Sequence, residues 1–251
     1  MSFDRWTARE NTTWAYQIFK RYNTELHRLR HFIGFIQQPL ADFAAGLEPV
    51  TAPGTMNSAH FLDSSQIHHN WFNQNAIISL ISLFETYLSQ VVKISLCSDP
   101  GLLQKSAHSV DGAKLLKAGT QATFESKSKS VIDGTWQDRT TKFRDLFDFI
   151  PGAWASNLQK LDDARVLRNK IAHAFGRDLK KSDAHIFKSV MPAIAVTTQF
   201  VDDLRQILES IAKQCDEYLL AQHIGNYQFL ALYHTLLPKL EPHRRAWAFR
   251  K

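Results

Sequence analysis

Apolar side chains recur three and four positions apart along almost the whole chain, and no stretch alternates apolar with polar long enough to make a strand. The pattern predicts an all-α protein: an antiparallel helical bundle with a long N-terminal helix and a C-terminal helical extension. A first helix is expected over residues 6–43, with Trp14, Ile18, Tyr22, Leu26, Leu29, Ile33 and Ile36 on one face. Residues 46–65 contain Pro49, Pro53 and Gly54 and read as a linker or surface loop. A second helix follows over residues 66–97, stopped by Asp99-Pro100-Gly101.

Beyond it, residues 99–136 are polar and weakly periodic, so a short helix near residues 113–117 and basic loops around Glu125 to Ser130 are expected. Another short helix is predicted over residues 140–149, ended by Pro151-Gly152. The next runs over residues 155–175, with Leu158, Leu161, Val166 or Leu167, and Ile171 facing the core and Gly176 as its C-terminal cap. A long helix over residues 182–221, bent at Pro192, comes next. The organisation expected is an extension over residues 1–65, a bundle over 66–221 and a basic, aromatic extension over 222–251. There is no internal repeat.

Charge and chemistry sharpen this picture. Thirty basic against 24 acidic side chains give a net charge of +6, which favours polyanionic partners. Cys97 and Cys215 lie far apart in apolar helical stretches and are expected to be free thiols in a reducing compartment. The first residues lack the apolar core of a secretion signal and the longest apolar runs are interrupted, so a cytoplasmic chain with no membrane span is expected. No phosphate-binding loop, dinucleotide-binding turn or nucleophile elbow occurs. The adjacent His68 and His69 have no second ligand pair at metal-binding spacing, so neither metal nor cofactor is expected. The C-terminal run from His243 to Lys251 mixes cations with Trp247 and Phe249, a composition suited to RNA stacking, a membrane surface or packing on a neighbouring helix.

One cluster carries specific chemistry: Arg168-Asn169-Lys170-Ile171-Ala172-His173, with Arg165 and Arg177 extending its cationic character. On a helix Asn169 and His173 share a face, and Arg168 sits one residue round. With 14 Arg, 9 Asn and 11 His in 251 residues, Arg-Asn followed by His at this spacing is expected by chance only about 0.02 times. The pattern therefore calls for an explanation. A solvated helix face is one, with Arg165 and Arg168 paired to Asp162 and Asp163 and His173 at the helix C-terminus. Chemistry on an anionic substrate is the other.

The stretch Leu167 to Gly176 resembles the R-N-x-x-x-H motif of the HEPN superfamily, and the apolar run Ile77 to Leu96, interrupted by Glu85, resembles the helix that precedes the motif in that family. The resemblance covers about residues 66–220. It implies a metal-independent endoribonuclease in which the substrate's 2′-hydroxyl is the nucleophile, leaving a 2′,3′-cyclic phosphate and a 5′-hydroxyl. Arg168 would bind the scissile phosphate, His173 would transfer protons and Asn169 would orient a phosphate oxygen or the other groups. Glu85, Arg165 and Arg177 would support the site or hold RNA, with Arg168 the expected partner of Glu85. The resemblance also implies a homodimer with a composite cleft, since one protomer supplies one histidine, and a role as a toxin or anti-phage effector. A regulatory partner would be compatible with this role. Many members of the superfamily bind without cutting, so a non-catalytic RNA- or protein-binding module stands as the alternative. A helix-turn-helix DNA reader finds no short helix, turn and recognition helix of the required size.

Overall fold

A computed structural model describes residues 11–45, 58–104, 112, 117, 124–174 and 194–236. Among them 86% are helical and none is in a strand, so the chain is all-α as expected. The helices are α1 (Trp14–Ala45), α2 (Ser58–Ser98), α3 (Glu125–Ser130), α4 (Trp136–Phe147), α5 (Gly152–Ala155), α6 (Leu158–Ala174), α7 (Thr198–Leu219) and α8 (Tyr227–Leu236). A 3₁₀ turn, Pro100–Gln104, follows α2, and a π turn, Leu220–Ile224, follows α7. The chain divides into two compact units. The first draws on Met1–Phe19, Glu85–Leu158 and Ser210–Lys251, the second on Lys20–Phe84 and Gln159–Glu209.

In the first unit α1 begins at Trp14 because of what caps it. The Thr13 hydroxyl accepts from Tyr16 N at 3.2 Å, while Thr13 N donates to Asp216 Oδ2 at 3.0 Å and the hydroxyl donates to Asp216 Oδ1. These contacts satisfy donors that a helix start leaves orphaned. Asp216 is only 1% exposed, and burial lifts its pKa from 3.8 to about 6 against the opposing pull of the Thr13 hydrogen bonds. The core of this unit is aromatic. Trp136 meets Trp154 edge-on at 5.8 Å, and Phe143 lies 5.5 Å from Trp154 and 4.8 Å from Phe147. Helix α4 starts four residues before the expected position, because Thr135 and Asp138 close a reciprocal capping box at 3.2 and 2.9 Å. It ends at Asp148, in the left-handed region at φ 50°. The run Glu125–Ser130, expected as loop, is a helix whose Glu125 binds Lys93 at 2.5 Å.

In the second unit Ala76, Ile77, Leu80, Ile81 and Phe84 of α2 are buried, together with Leu161, Ala164 and Ile171 of α6 and Val201, Leu204 and Leu208 of α7. The stretch Leu62–Ser98 of α2 is long and apolar enough to cross a membrane. Within that stretch Ala76, Ile77, Leu80, Ile81, Phe84, Leu88, Val91 and Val92 are buried in the fold.

Two further expectations are corrected here. The apolar face read along α1 is not its packing face: Ile18, Tyr22 and Leu29 are 57, 54 and 57% exposed, while Tyr16, Phe19, Asn23 and Arg30 are buried. The true inner face carries an amide and a guanidinium, which hydropathy scores as surface. Second, residues 194–197 are not helical and α7 starts at Thr198. Side-chain amides of α2 take their backbone groups instead. Asn70 donates to Ile194 O at 3.0 Å and accepts from Val196 N at 2.8 Å. Asn73 donates to Val196 O at 3.0 Å, and Gln74 to Ile194 O at 2.7 Å. These bonds substitute for the helical ladder that the segment forgoes. Of the helix expected near residues 113–117 only Lys117 is described, and it is helical; the bend at Pro192, the cap at Gly176 and the tail after Leu236 lie outside the described residues.

Candidate functional site

Helix α6 carries the Arg-Asn-His cluster. Pro151 opens α5 with φ −56°, and Asn157 Nδ2 donates to Ala153 O at 2.8 Å just before α6 begins. The inward side of α6 is set by Leu161, Ala164 and Ile171; Leu158 and Leu167 are half-buried and Val166 is exposed, so Val166 is not a core residue. At about 100° per residue Arg168 emerges within the arc of those three buried positions. Its guanidinium is half-buried accordingly, Asn169 beside it is half-buried, and His173 is exposed. Arg168 Nη1 donates to Asn169 Oδ1 at 3.0 Å.

The structure thus brings Arg168 and Asn169 together and leaves His173 facing outward. Helix geometry separates Arg168 from His173 by about 7.5 Å along the axis and about 140° around it. Asn169 and His173 differ by only about 40° and do share a face, as expected from the spacing. Arg165 Nε pairs with Asp162 Oδ1 at 2.9 Å, one of the local pairings expected of a helix face. Arg177 lies outside the described residues.

Glu85 belongs to the first unit, Arg168 to the second. In the first unit Arg139 Nη2 binds Glu85 Oε1 at 2.8 Å, with side chains only 6 and 15% exposed, and the guanidinium lies 4.8 Å from the Trp136 ring. Sequence reading missed this partner. The spacing of Trp136, Arg139 and Phe143 on one face of α4 was a usable signal, since a cation between inward aromatics needs a buried counter-charge. Among the described residues, no group of three or more His, Cys, Asp or Glu is placed to hold a metal ion. The described cysteines are free thiols: Cys215 is buried and Cys97 half-buried, and burial raises both pKa values.

Comparison of the chain with models of protein families, with curated proteins and with solved structures yields no match. The reading of function therefore rests on the residues of α6 and the chemistry they can perform.

Proposed function

We propose that the protein is a metal-independent endoribonuclease of HEPN type, acting on RNA as a homodimer in the cytoplasm, with a role as a toxin or anti-phage effector. The observation that carries this reading is the Arg168–Asn169 pair, preassembled at 3.0 Å on the helix that exposes His173. Holding the guanidinium against an amide oxygen limits its rotamers, so less ordering is needed when it grips a phosphate.

In the reaction one His173 takes the proton of the ribose 2′-hydroxyl. The 2′-oxygen attacks phosphorus, the bond from phosphorus to the 5′-oxygen breaks, and that oxygen receives a proton from a second imidazole. Arg168 offsets the charge that grows on the non-bridging oxygens. Acid and base belong on opposite sides of phosphorus, which a single histidine cannot supply at once. The divergence of Arg168 and His173 around one helix supports completion of the site by a second copy, whose α6 would bring its own His173 to the first copy's Arg168.

The test uses the full-length protein and an end-labelled structured RNA in excess EDTA. Cleavage should persist, yield a 2′,3′-cyclic phosphate, and stop when the nucleotide at the cut site carries a 2′-O-methyl group. Loss of activity on chelation with rescue by a divalent ion would overturn the mechanism, as would cutting of DNA at a similar rate. RNA binding without cleavage under all conditions would instead mark α6 as a docking surface.

A further inference from the structure

Six buried polar atoms of the second unit have no hydrogen-bond partner: Asn23 Oδ1, His27 Nδ1, Arg30 Nε, His69 Nδ1, Asn73 Oδ1 and Arg205 Nε. Hydrogen bonds and ion pairs join their owners into two groups, which the repulsion between Arg205 and His27 couples. Asn23 donates to Glu209 at 3.0 Å and Arg205 to the same carboxylate oxygen at 2.9 Å. Arg30, its side chain 5% exposed, binds Asp202 Oδ1 at 2.6 Å and Thr198 O at 3.0 Å. His69 Nε2 meets Thr198 Oγ1 at 3.1 Å and Asn73 Nδ2 at 3.2 Å.

Unsatisfied atoms of this kind call for an explanation. The unsatisfied atoms include donors, at Arg30 and Arg205, and acceptors, at Asn23 and Asn73. An oxyanion would satisfy only the donors, and a metal cation only the acceptors. What the imidazoles of His27 and His69 can take up is a proton, at His69 on the Nε2 that faces Asn73, since its Nδ1 holds the hydrogen of the neutral ring. We infer that the seam between α1, α2 and α7 is a proton-operated clasp, in which protonation of His27 and His69 releases Arg30 and Asn73 from residues 196–202 and frees the start of α7.

Each step follows from a contact. The Asn73 amide nitrogen can only donate, so His69 Nε2 accepts and carries no proton. Protonation puts a hydrogen on that nitrogen, turns the contact into donor against donor, and displaces the amide that also holds Val196 O. His27 Nδ1 lies 3.9 Å from Asp202 Oδ1, the oxygen that Arg30 grips. Once charged, His27 competes for that carboxylate. Two arginines and two carboxylates balance while both imidazoles are neutral; protonation leaves two surplus positive charges among half-buried groups, with Arg30 the buried member. His31, whose ring centroid lies 4.2 Å from that of His27, and His68, next to His69, are further repulsive neighbours of the two imidazoles. Burial first, then Arg205 for His27 and Arg30 for His69, holds both imidazoles below the ordinary value of about 6.5. The closed clasp therefore binds fewer protons than the open one, is intact above pH 6.5, and is lost as pH falls.

The test is hydrogen–deuterium exchange on the full chain at pH 7.5, 6.5 and 5.5, corrected for the intrinsic pH dependence of exchange. Protection of residues 196–202 should fall at least ten-fold from pH 7.5 to 5.5, while residues 136–147 of α4 change less than two-fold. The combined variant His27→Gln, His69→Gln should hold the clasp within two-fold over the same range. If it does not fold, each single variant should show about half of the logarithmic loss. Flat protection in the wild type, an equal fall in α4, or a wild-type fall in the variants would each overturn the inference. None of these outcomes depends on ribonuclease activity.

Discussion

Replacing Asp216 by Asn should change the pH dependence of stability by a predictable amount. The carboxamide keeps the shape, still accepts from Thr13 N, and can donate to the Thr13 hydroxyl, but it cannot ionise. In the wild type the folded state raises this carboxyl from 3.8 to about 6, so between those values it binds more protons than the unfolded chain. The associated stability is fully present below pH 3.8 and is lost as pH rises through 6. At 1.36 kcal/mol per pH unit, that gap is worth about 3 kcal/mol. The stability of Asp216→Asn minus that of the wild type should therefore rise by about 3 kcal/mol between pH 3.5 and 7.5. In a chain of this size such a change moves the melting temperature by about 6–12 °C. Other titrating groups, His27 and His69 among them, are common to both proteins and cancel in the difference. The assay is denaturant or thermal unfolding of both proteins in parallel across that range. A difference that stays constant within about 0.5 kcal/mol would show that the carboxyl is not desolvated and that the buried Thr13–Asp216 latch is misassigned.

Gly112→Ala should destabilise strongly, because a Cβ there would lie 1.9 Å from Cys97 O, backbone that cannot rotate away; a melting temperature unchanged within 1 °C would contradict this packing. Thr135→Ala removes the capping box of α4 and should cost about 1 kcal/mol, read by urea unfolding, whereas Thr135→Ser should recover most of it. Asn70→Ala strips a bidentate partner from residues 194–196 and leaves the Val196 N–H without its acceptor. A cost of about 1–3 kcal/mol is expected, with faster amide exchange at Val196, and unchanged exchange there would refute the clamp.

The all-α class, the end of α2 at Ser98 and the Arg-Asn-His helix were legible because each rests on a local signal: periodicity, a Pro-Gly stop, a spacing. The inner face of α1 was not, because its burial depends on distant counter-groups, Glu209 for Asn23 and Asp202 for Arg30. Residues 194–197 looked helical by composition, yet amides about 120 positions away set their conformation. Of the candidate site, the α6 spacing revealed which residues share a face but not that Arg168 emerges on the buried side and binds Asn169. The spacing of Trp136, Arg139 and Phe143 signals that Arg139 needs a buried counter-charge, but the partner, Glu85, lies 54 positions away and no local pattern names it.

The most direct test of the proposed function measures cleavage rate and RNA affinity together for wild type, His173→Ala and Arg168→Lys, each shown to be folded. Both variants keep their permanent positive charge, so affinity near pH 7.5 should stay within about two-fold. The His173 variant loses a proton-transfer group worth roughly 10² to 10⁴ in rate, and the Arg168 variant should lose rate far more than affinity because lysine lacks the bidentate fork. Cleavage at wild-type rates in both variants would make the motif structural and contradict the ribonuclease proposal.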